Sequence, residues 1–259
     1  MNETRIFADA YQTTFADPKE MLEFLAQRAK ESSWIRKPTR TLRLVPAIQE
    51  AGKMKDTVGK NWEEILEDTE NNTQLALKIK GETYPVRTCA IRTILDRAGI
   101  SGSGLRKLET ANYAKVVNYC LKVAKGDALI KIADGKVSAV HGGDHHDYSI
   151  LDMRAVFEMT MQFLNTNFPG NSYVEGSGMF DHSIVFFQFL NQVYFKITYM
   201  IFNCRLAFRL SSGWWKNYSF IEIFQICKGR LQDKFILCVL GYSSSQVIGH
   251  KVFRNSTIK

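Results

Sequence analysis

The residues best suited to chemistry in this 259-residue chain fall into three groups. His141, Asp144, His145, His146 and Asp147 form a dense run of metal-ligand types. Imidazole and carboxylate together suit zinc, manganese or iron. Working sites set their ligands on rigid elements with supporting hydrogen bonds. Here Asp144, His145 and His146 are consecutive in a polar loop, so the run is expected to be a plain connection, with His141, Asp144 and His145 as the candidate ligands. The second group, Asp181-His182-Ser183, has the residue types of a hydrolytic triad. Triads are assembled in space, and consecutive residues of an extended segment point to opposite faces, so the tripeptide alone makes no hydrolase. The third group is basic: Arg36, Lys37, Arg40 and Arg43 follow Trp34, while Arg92, Arg97, Arg106 and Lys107 surround a Gly/Ser turn. Such side chains contact phosphates, and an aromatic among them is the combination used on single-stranded nucleic acid. The competing explanation is a solvated connection with Trp34 tucked into the core.

The elements that must position the second basic set lie between Pro85 and Leu108. Ala90, Ile91, Ile94, Leu95 and Ala98 recur at helical spacing, with Thr88 at the start and Gly99 as a terminator that accepts positive φ. Gly102-Ser103-Gly104 follows, and then Leu105 and Leu108 flank Arg106 and Lys107. The spacing resembles a helix-turn-helix, whose second helix would enter a major groove. Leu95, where a small residue is usual, and the two glycines argue instead for an ordinary helical hairpin. A phosphate-binding loop is excluded, because Gly104 is followed by Leu105 and Arg106 rather than Lys and Ser/Thr. The chain shows no Gly-x-Ser-x-Gly elbow, and Cys89 lies on an apolar helix face. No catalytic group and no cofactor is therefore assigned.

Other elements follow from local patterns. Asp17-Pro18-Lys19-Glu20 predicts a helix start, with an apolar face of Met21, Phe24, Leu25 and Ala29 and an end near Ser32. Residues 61–69 predict a short acidic helix with Trp62, Ile65 and Leu66 inward, broken at Asn71-Asn72. Residues 73–80 alternate as a half-buried strand, turned at Gly81 toward a partner at 84–87. Residues 109–124 predict a helix with Tyr113, Val116, Val117, Cys120 and Val123 inward. The strongest local signal is a hairpin over 128–141, where two apolar runs flank Asp134-Gly135, the pair a type I′ turn prefers. Residues 152–168 predict a long amphipathic helix, and 171–185 read as extended. Helices mixed with hairpins, rather than strict βαβ alternation, predict an α+β fold: helices packed on a small antiparallel sheet.

Charge divides the chain. Residues 1–184 hold 24 basic and 24 acidic residues, which cancel; residues 185–259 hold 10 basic and 2 acidic, which supplies the whole net charge of +8. Aromatics number 15 in the first part and 16 in the second, shorter one. The five cysteines form no CxxC pair, which argues against a disulfide framework or zinc site and for a reducing, cytoplasmic setting. The first fifteen residues lack a basic and apolar leader pattern, so no secretory signal is expected.

Three stretches, RTLRLVPA at 40–47, TVGKNW at 57–62 and YPVRTCAIRTILDRA at 84–98, resemble the phage/plasmid-like protein family built on domain of unknown function 932. VSAVHGGD at 137–144 and FPG at 168–170 support the resemblance. It covers residues 1–185, an incomplete α+β domain, and implies a mobile genetic element of a bacterial host; it brings no catalytic residues. Residues 186–259 form an aromatic, basic tail expected to be irregular or poorly folded. Three origins are open for it: an out-of-frame or inserted sequence, a membrane segment at 184–204, or a genuine basic domain. Gln188, Asn191, Gln192, Lys196 and Asn203 interrupt the membrane reading. The functional expectation is a non-catalytic, DNA-associated accessory factor. Its alternatives are a host-takeover module that binds proteins and, behind that, a metal-dependent enzyme using the 141–147 loop.

Overall fold

The computed structural model describes residues 5–142, 150, 152–167, 170, 172–182, 184–191, 195–202, 205–212, 222–225, 242–243 and 246–247. The chain runs through β1 (Gln12–Phe15), α1 (Pro18–Glu31), β2 (Ser32–Pro38), β3 (Arg43–Pro46), α2 (Ala51–Val58), α3 (Trp62–Asn72), β4 (Leu75–Ile79) and β5 (Glu82–Pro85). It continues through α4 (Thr88–Ala98), α5 (Thr110–Val123), β6 (Asp127–Ala133), β7 (Lys136–Gly142) and α6 (Met153–Asn167). Among the described residues eight strands follow: β8 (Ser172–Tyr173), β9 (Ser177–Phe180), β10 (Ile184–Asn191), β11 (Phe195–Phe202), β12 (Arg205–Ser212), β13 (Glu222–Gln225), β14 (Tyr242–Ser243) and β15 (Gln246–Val247). Six α-helices and antiparallel sheets make this an α+β fold.

The chain forms two compact units. The first comprises Met1–Thr13, Glu23–Tyr148 and Met179–Ser183; the second comprises Thr14–Leu22, Ser149–Gly178 and Ile184–Lys259. The first unit is built on two three-stranded sheets, β2-β6-β7 and β3-β4-β5. Their shared core includes Leu42, Leu44, Leu77, Ile79, Ile94, Val117, Leu121, Ile130 and Val140, which α4 and α5 help to cover. The β6–β7 hairpin forms as its Asp-Gly pair demands: Asp134 at φ 51° and Gly135 at φ 73° both occupy the left-handed region. Gly135 is required twice, since a Cβ there would also lie 2.9 Å from Val58 Cγ1. At α1, Asp17 Oδ1 accepts the Lys19 N–H at 2.7 Å, the first-turn bond that the Asp-Pro start predicts. Gly99 ends α4 at φ 70°.

Several sequence expectations are corrected. Residues 32–38 form a full strand, not a connection, because β2 pairs with β6 from Ser32↔Ala133 to Pro38↔Asp127. The helix expected to break at Asn71-Asn72 runs through Asn72. No second helix of a helix-turn-helix follows Gly99: Leu105–Lys107 make a single 3-10 turn, Leu108 returns to extended backbone, and α5 starts at Thr110. The glycines at 102 and 104 weaken helix there, as they do in any helix interior. Helix α5 keeps part of its predicted face, with Val117 buried and Tyr113 and Cys120 packed partly buried against the core. Its buried residues are Ala114, Val117 and Leu121, while Val116 and Val123 are 36% and 77% exposed. The cause is Asn118, whose amide accepts from Leu44 N–H and donates to Leu44 C=O, each at 2.7 Å. It pairs with β3 as a neighbouring strand would, and this turns the valines outward.

In the second unit, α6 starts at an Asp152 cap, whose Oδ1 accepts the Arg154 N–H at 2.9 Å. Phe157 on α6 is fully buried and meets Phe187 of β10 edge-on at 4.8 Å, with Tyr173 and Phe189 beside them. Strands β10, β11, β12 and β13 pair in sequence, each antiparallel to the next. They occupy stretches where the sequence predicts an irregular tail. Residues 184–191 and 195–202, inside the possible membrane segment, are two of these strands, and among the described residues no helix is long and apolar enough to cross a membrane.

Candidate nucleic-acid interface

The eight basic candidates do not form one patch. Arg36 and Lys37 are successive residues of β2 and so point to opposite faces of its sheet. Arg40 is exposed in the 3-10 turn Thr39–Thr41. Arg43 folds back on its own loop, Nη1 donating to the Arg40 and Leu42 carbonyls at 2.7 Å each. Arg97 is structural: its Nε donates to Thr39 Oγ1 at 2.8 Å and its Nη2 to the Lys125 carbonyl, which ties the end of α4 to two loops. Arg92 and Lys107 are exposed. Arg106 sits in the Leu105–Lys107 turn. Arg92 lines a cleft of about 1190 Å³ between α4 and the Gly/Ser turn, with Asp96, Ser101, Ser103, Leu108 and Tyr113. Among the described residues Arg92 is the one arginine of the lining, and the Asp96 carboxylate beside it leaves the cleft without a strong preference for phosphate.

The arrangement best fitted to nucleic acid lies on one face of β2-β6-β7. In register, Trp34 stands opposite Lys131, which stands opposite Ala139; Arg36 stands opposite Leu129, which stands opposite His141. These two rows share a face. The alternate rows, Ile35 with Ile130 and Val140, fill the core on the other. The Trp34 and His141 rings stack at 29° with centroids 6.3 Å apart. The Lys131 ammonium lies 5.8 Å from the Trp34 ring centroid, a cation–π distance. Arg36, Trp34, Lys131 and His141 are all half-buried, and Leu129 between them is 5% exposed. Arg36 Nη1 is buried without a hydrogen-bond partner among the described residues. Asp127, opposite Pro38 at the end of the same rows, is the sole carboxylate at these register positions. Sequence reasoning missed Lys131. A regular two-residue hairpin would set it opposite Ser138; a register shift between Lys131 and Ile132 sets it opposite Ala139, and the pairing of β6 with β2 brings it to Trp34.

A second polar cluster in the same unit has the look of an active site and the chemistry of a clamp. Arg87 is fully buried. Its Nη1 donates to the Phe7 and Ala8 carbonyls at 2.9 and 3.2 Å, and its Nη2 to Asp134 Oδ2 at 3.0 Å. Arg28 Nη1 donates to the same carboxylate oxygen at 2.5 Å. His182 completes the group: Nδ1 lies 3.2 Å from Arg28 Nη2, and Nε2 lies 2.7 Å from Arg87 Nη1 and 2.8 Å from the Ala8 carbonyl oxygen. Burial, followed by the neighbouring Arg87 and Arg28 charges, pushes the His182 pKa down to about 2. Such a ring is no general base near neutrality. Alongside, Lys136 is buried against Asp68, whose carboxylate also accepts the Asp9 N–H at 3.2 Å. Asp9 in turn accepts the Thr88 N–H at 2.9 Å at the start of α4.

No nucleophile stands in this cluster among the described residues. Cys89 donates to the Ser138 carbonyl at 3.4 Å, and burial pushes its thiol up to about 12, so it stays protonated. Of the metal candidates, His141 is a β7 residue stacked on Trp34, while Asp144 and His145 lie outside the described residues. Among the described residues no group of three His, Cys, Asp or Glu side chains could hold a metal ion. No family model, curated protein or solved structure matches the chain.

Proposed function

We propose that this chain is a non-catalytic, DNA-associated accessory protein of a phage, plasmid or conjugative element, acting in the cytoplasm of a bacterial host. The mobile-element setting rests on the resemblance of residues 40–47, 57–62 and 84–98 to the phage/plasmid-like family. The DNA association rests on one observation: Arg36 and Lys131 share a sheet face with the stacked rings of Trp34 and His141. Cations supply the sequence-independent part of nucleic-acid affinity, and that part weakens steeply with salt.

The test is a mobility-shift titration of the full chain on DNA at several salt concentrations. Arg36→Glu with Lys131→Glu should flatten the plot of log affinity against log salt by about two, near one unit for each lost phosphate contact. Absence of any shift at low salt removes the proposal.

A second reading has its own observation. Val116, Tyr119 and Val123 lie along one side of α5 and are 36%, 64% and 77% exposed. An apolar stripe of this kind suits a protein partner better than a nucleic acid. A host-takeover role would therefore lose partner binding, and keep its behaviour toward DNA, in Tyr119→Lys.

A further inference from the structure

We infer that the outer side of α5 docks an acidic amphipathic helix of a partner protein. Val116, Tyr119 and Val123 are its anchors, and Lys115 and Lys122 pair with the partner's carboxylates. The inference rests on the protein-partner reading of α5 and narrows that partner's chemistry; it is independent of DNA. Three features of the helix lead to it.

The first is spacing. Val116, Tyr119 and Val123 stand at i, i+3 and i+7, one line along the helix and the anchor pattern by which helices recognise each other. All three are exposed, while Ala114, Val117 and Leu121 fill the core on the other side. In a two-helix seam they take positions a, d and a, and β-branched valine at a favours two-stranded pairing. The second feature is charge. Lys115 and Lys122 each precede a valine of the stripe and lie on one flank of it, at the g positions that select partners by ion pairing. Both are exposed, and neither ammonium nor the Tyr119 hydroxyl hydrogen-bonds another described residue. The 14 residues of α5 include no Asp or Glu; the nearest in sequence, Glu109 and Asp127, lie beyond its two ends. The flank is therefore complementary to carboxylates. The third feature is what this pattern refuses. Two copies of α5 joined seam to seam would set lysine flank against lysine flank when antiparallel. When parallel, they would set each lysine against Cys120, which is half-buried against the core. A second copy gains no ion pair, whereas a helix with Glu or Asp beside its apolar seam gains two. A membrane surface is a poorer fit, since one tyrosine and two valines lack the Trp, Phe and Leu by which helices enter a bilayer interface.

The experiment selects peptides on the full chain from a displayed library of helices about 21 residues long, above the length at which an isolated helix is marginal. Leu, Ile and Val vary at the seam, and Glu, Lys and Gln vary beside it. The retained peptides should be enriched in Glu beside the seam. In fluorescence anisotropy with the best acidic peptide, Tyr119→Ser should weaken binding about 30-fold or more, the loss expected at an anchor. Lys115→Glu with Lys122→Glu should weaken it roughly 3- to 30-fold, the loss of two surface ion pairs. The same double variant should gain affinity for that peptide remade with Lys in place of Glu, a gain that misfolding cannot produce. Peptides retained without Glu enrichment, but released by Tyr119→Ser, overturn the acidic partner and leave the protein-partner reading in place. A dimer of the chain alone that sedimentation shows and Tyr119→Ser dissolves also overturns it, making the face a self-interface. Binding to anionic phospholipid vesicles that Tyr119→Ser abolishes overturns it in favour of a membrane surface. No Tyr119-dependent binding in any of these arms overturns both the acidic partner and the protein-partner reading.

Discussion

Two arginines of the same unit, Arg87 and Arg36, show how differently one side chain can be used. Arg87 is fully buried, and its two Nη groups meet two backbone carbonyls and the Asp134 carboxylate, which Arg28 shares. It holds residues 7 and 8, the β6–β7 turn and His182 in place, and one donor, Nε, is buried without a hydrogen-bond partner among the described residues. Arg36 is half-buried on a strand, and its Nη1 has no partner among the described residues. Each guanidinium leaves one buried donor unmet, and the two differ in what the remaining donors hold: Arg87 ties two carbonyls and a carboxylate, whereas the Arg36 side chain makes no hydrogen bond to another described residue.

The contrast is broken most directly by making the same substitution at both sites. Arg87→Met strips a buried carboxylate of a partner, which typically costs about 3–5 kcal/mol. Arg36→Met should cost under about 1 kcal/mol, because it removes no protein partner. Urea unfolding curves read both, and equal losses would erase the distinction drawn here.

Acid sharpens the same contrast. Above pH 6.5 the His182 ring is neutral in folded and unfolded chains alike, so it adds no pH dependence. Below that value the unfolded chain binds a proton that the folded chain refuses down to about pH 2. Stability should therefore fall by about 1 kcal/mol for each pH unit below the unfolded value. His182→Gln, which cannot titrate, should show a shallower acid slope; an unchanged slope would mean that His182 is not the group responsible. The smallest effect belongs to α5. Val123→Lys should change stability by no more than about 0.5 kcal/mol, since the residue is 77% exposed. A larger loss in thermal unfolding would show that Val123 is packed and that the apolar stripe is not free for a partner.

Residues close in sequence determined much of this protein. Asp134-Gly135 specifies its turn because both positions need φ > 0, Asp17-Pro18 starts α1, and Gly99 ends α4; each is decided within a few residues. The alternation at 75–79 and the apolar period at 90–98 likewise announce β4 and α4 without help from the rest of the chain. What local pattern could not supply is partner choice. Residues 32–38 read as a basic connection because the strand that pairs them, β6, lies almost a hundred positions away. On α5 the sequence turned Val117, Tyr113 and Cys120 inward correctly but Val116 and Val123 wrongly, because Asn118, polar and unremarkable in sequence, bonds to the Leu44 backbone. Arg87 sits in a stretch where every arginine looks alike; only folding brings Arg28, Asp134 and His182 around it, with separations of 47 to 154 residues among their contacts. The Trp34, Arg36, Lys131 and His141 face arose in the same way. Hydrophobic period and turn chemistry are properties of neighbours in sequence, whereas a charged or aromatic side chain takes its role from what stands opposite it, and only the tertiary fold decides that.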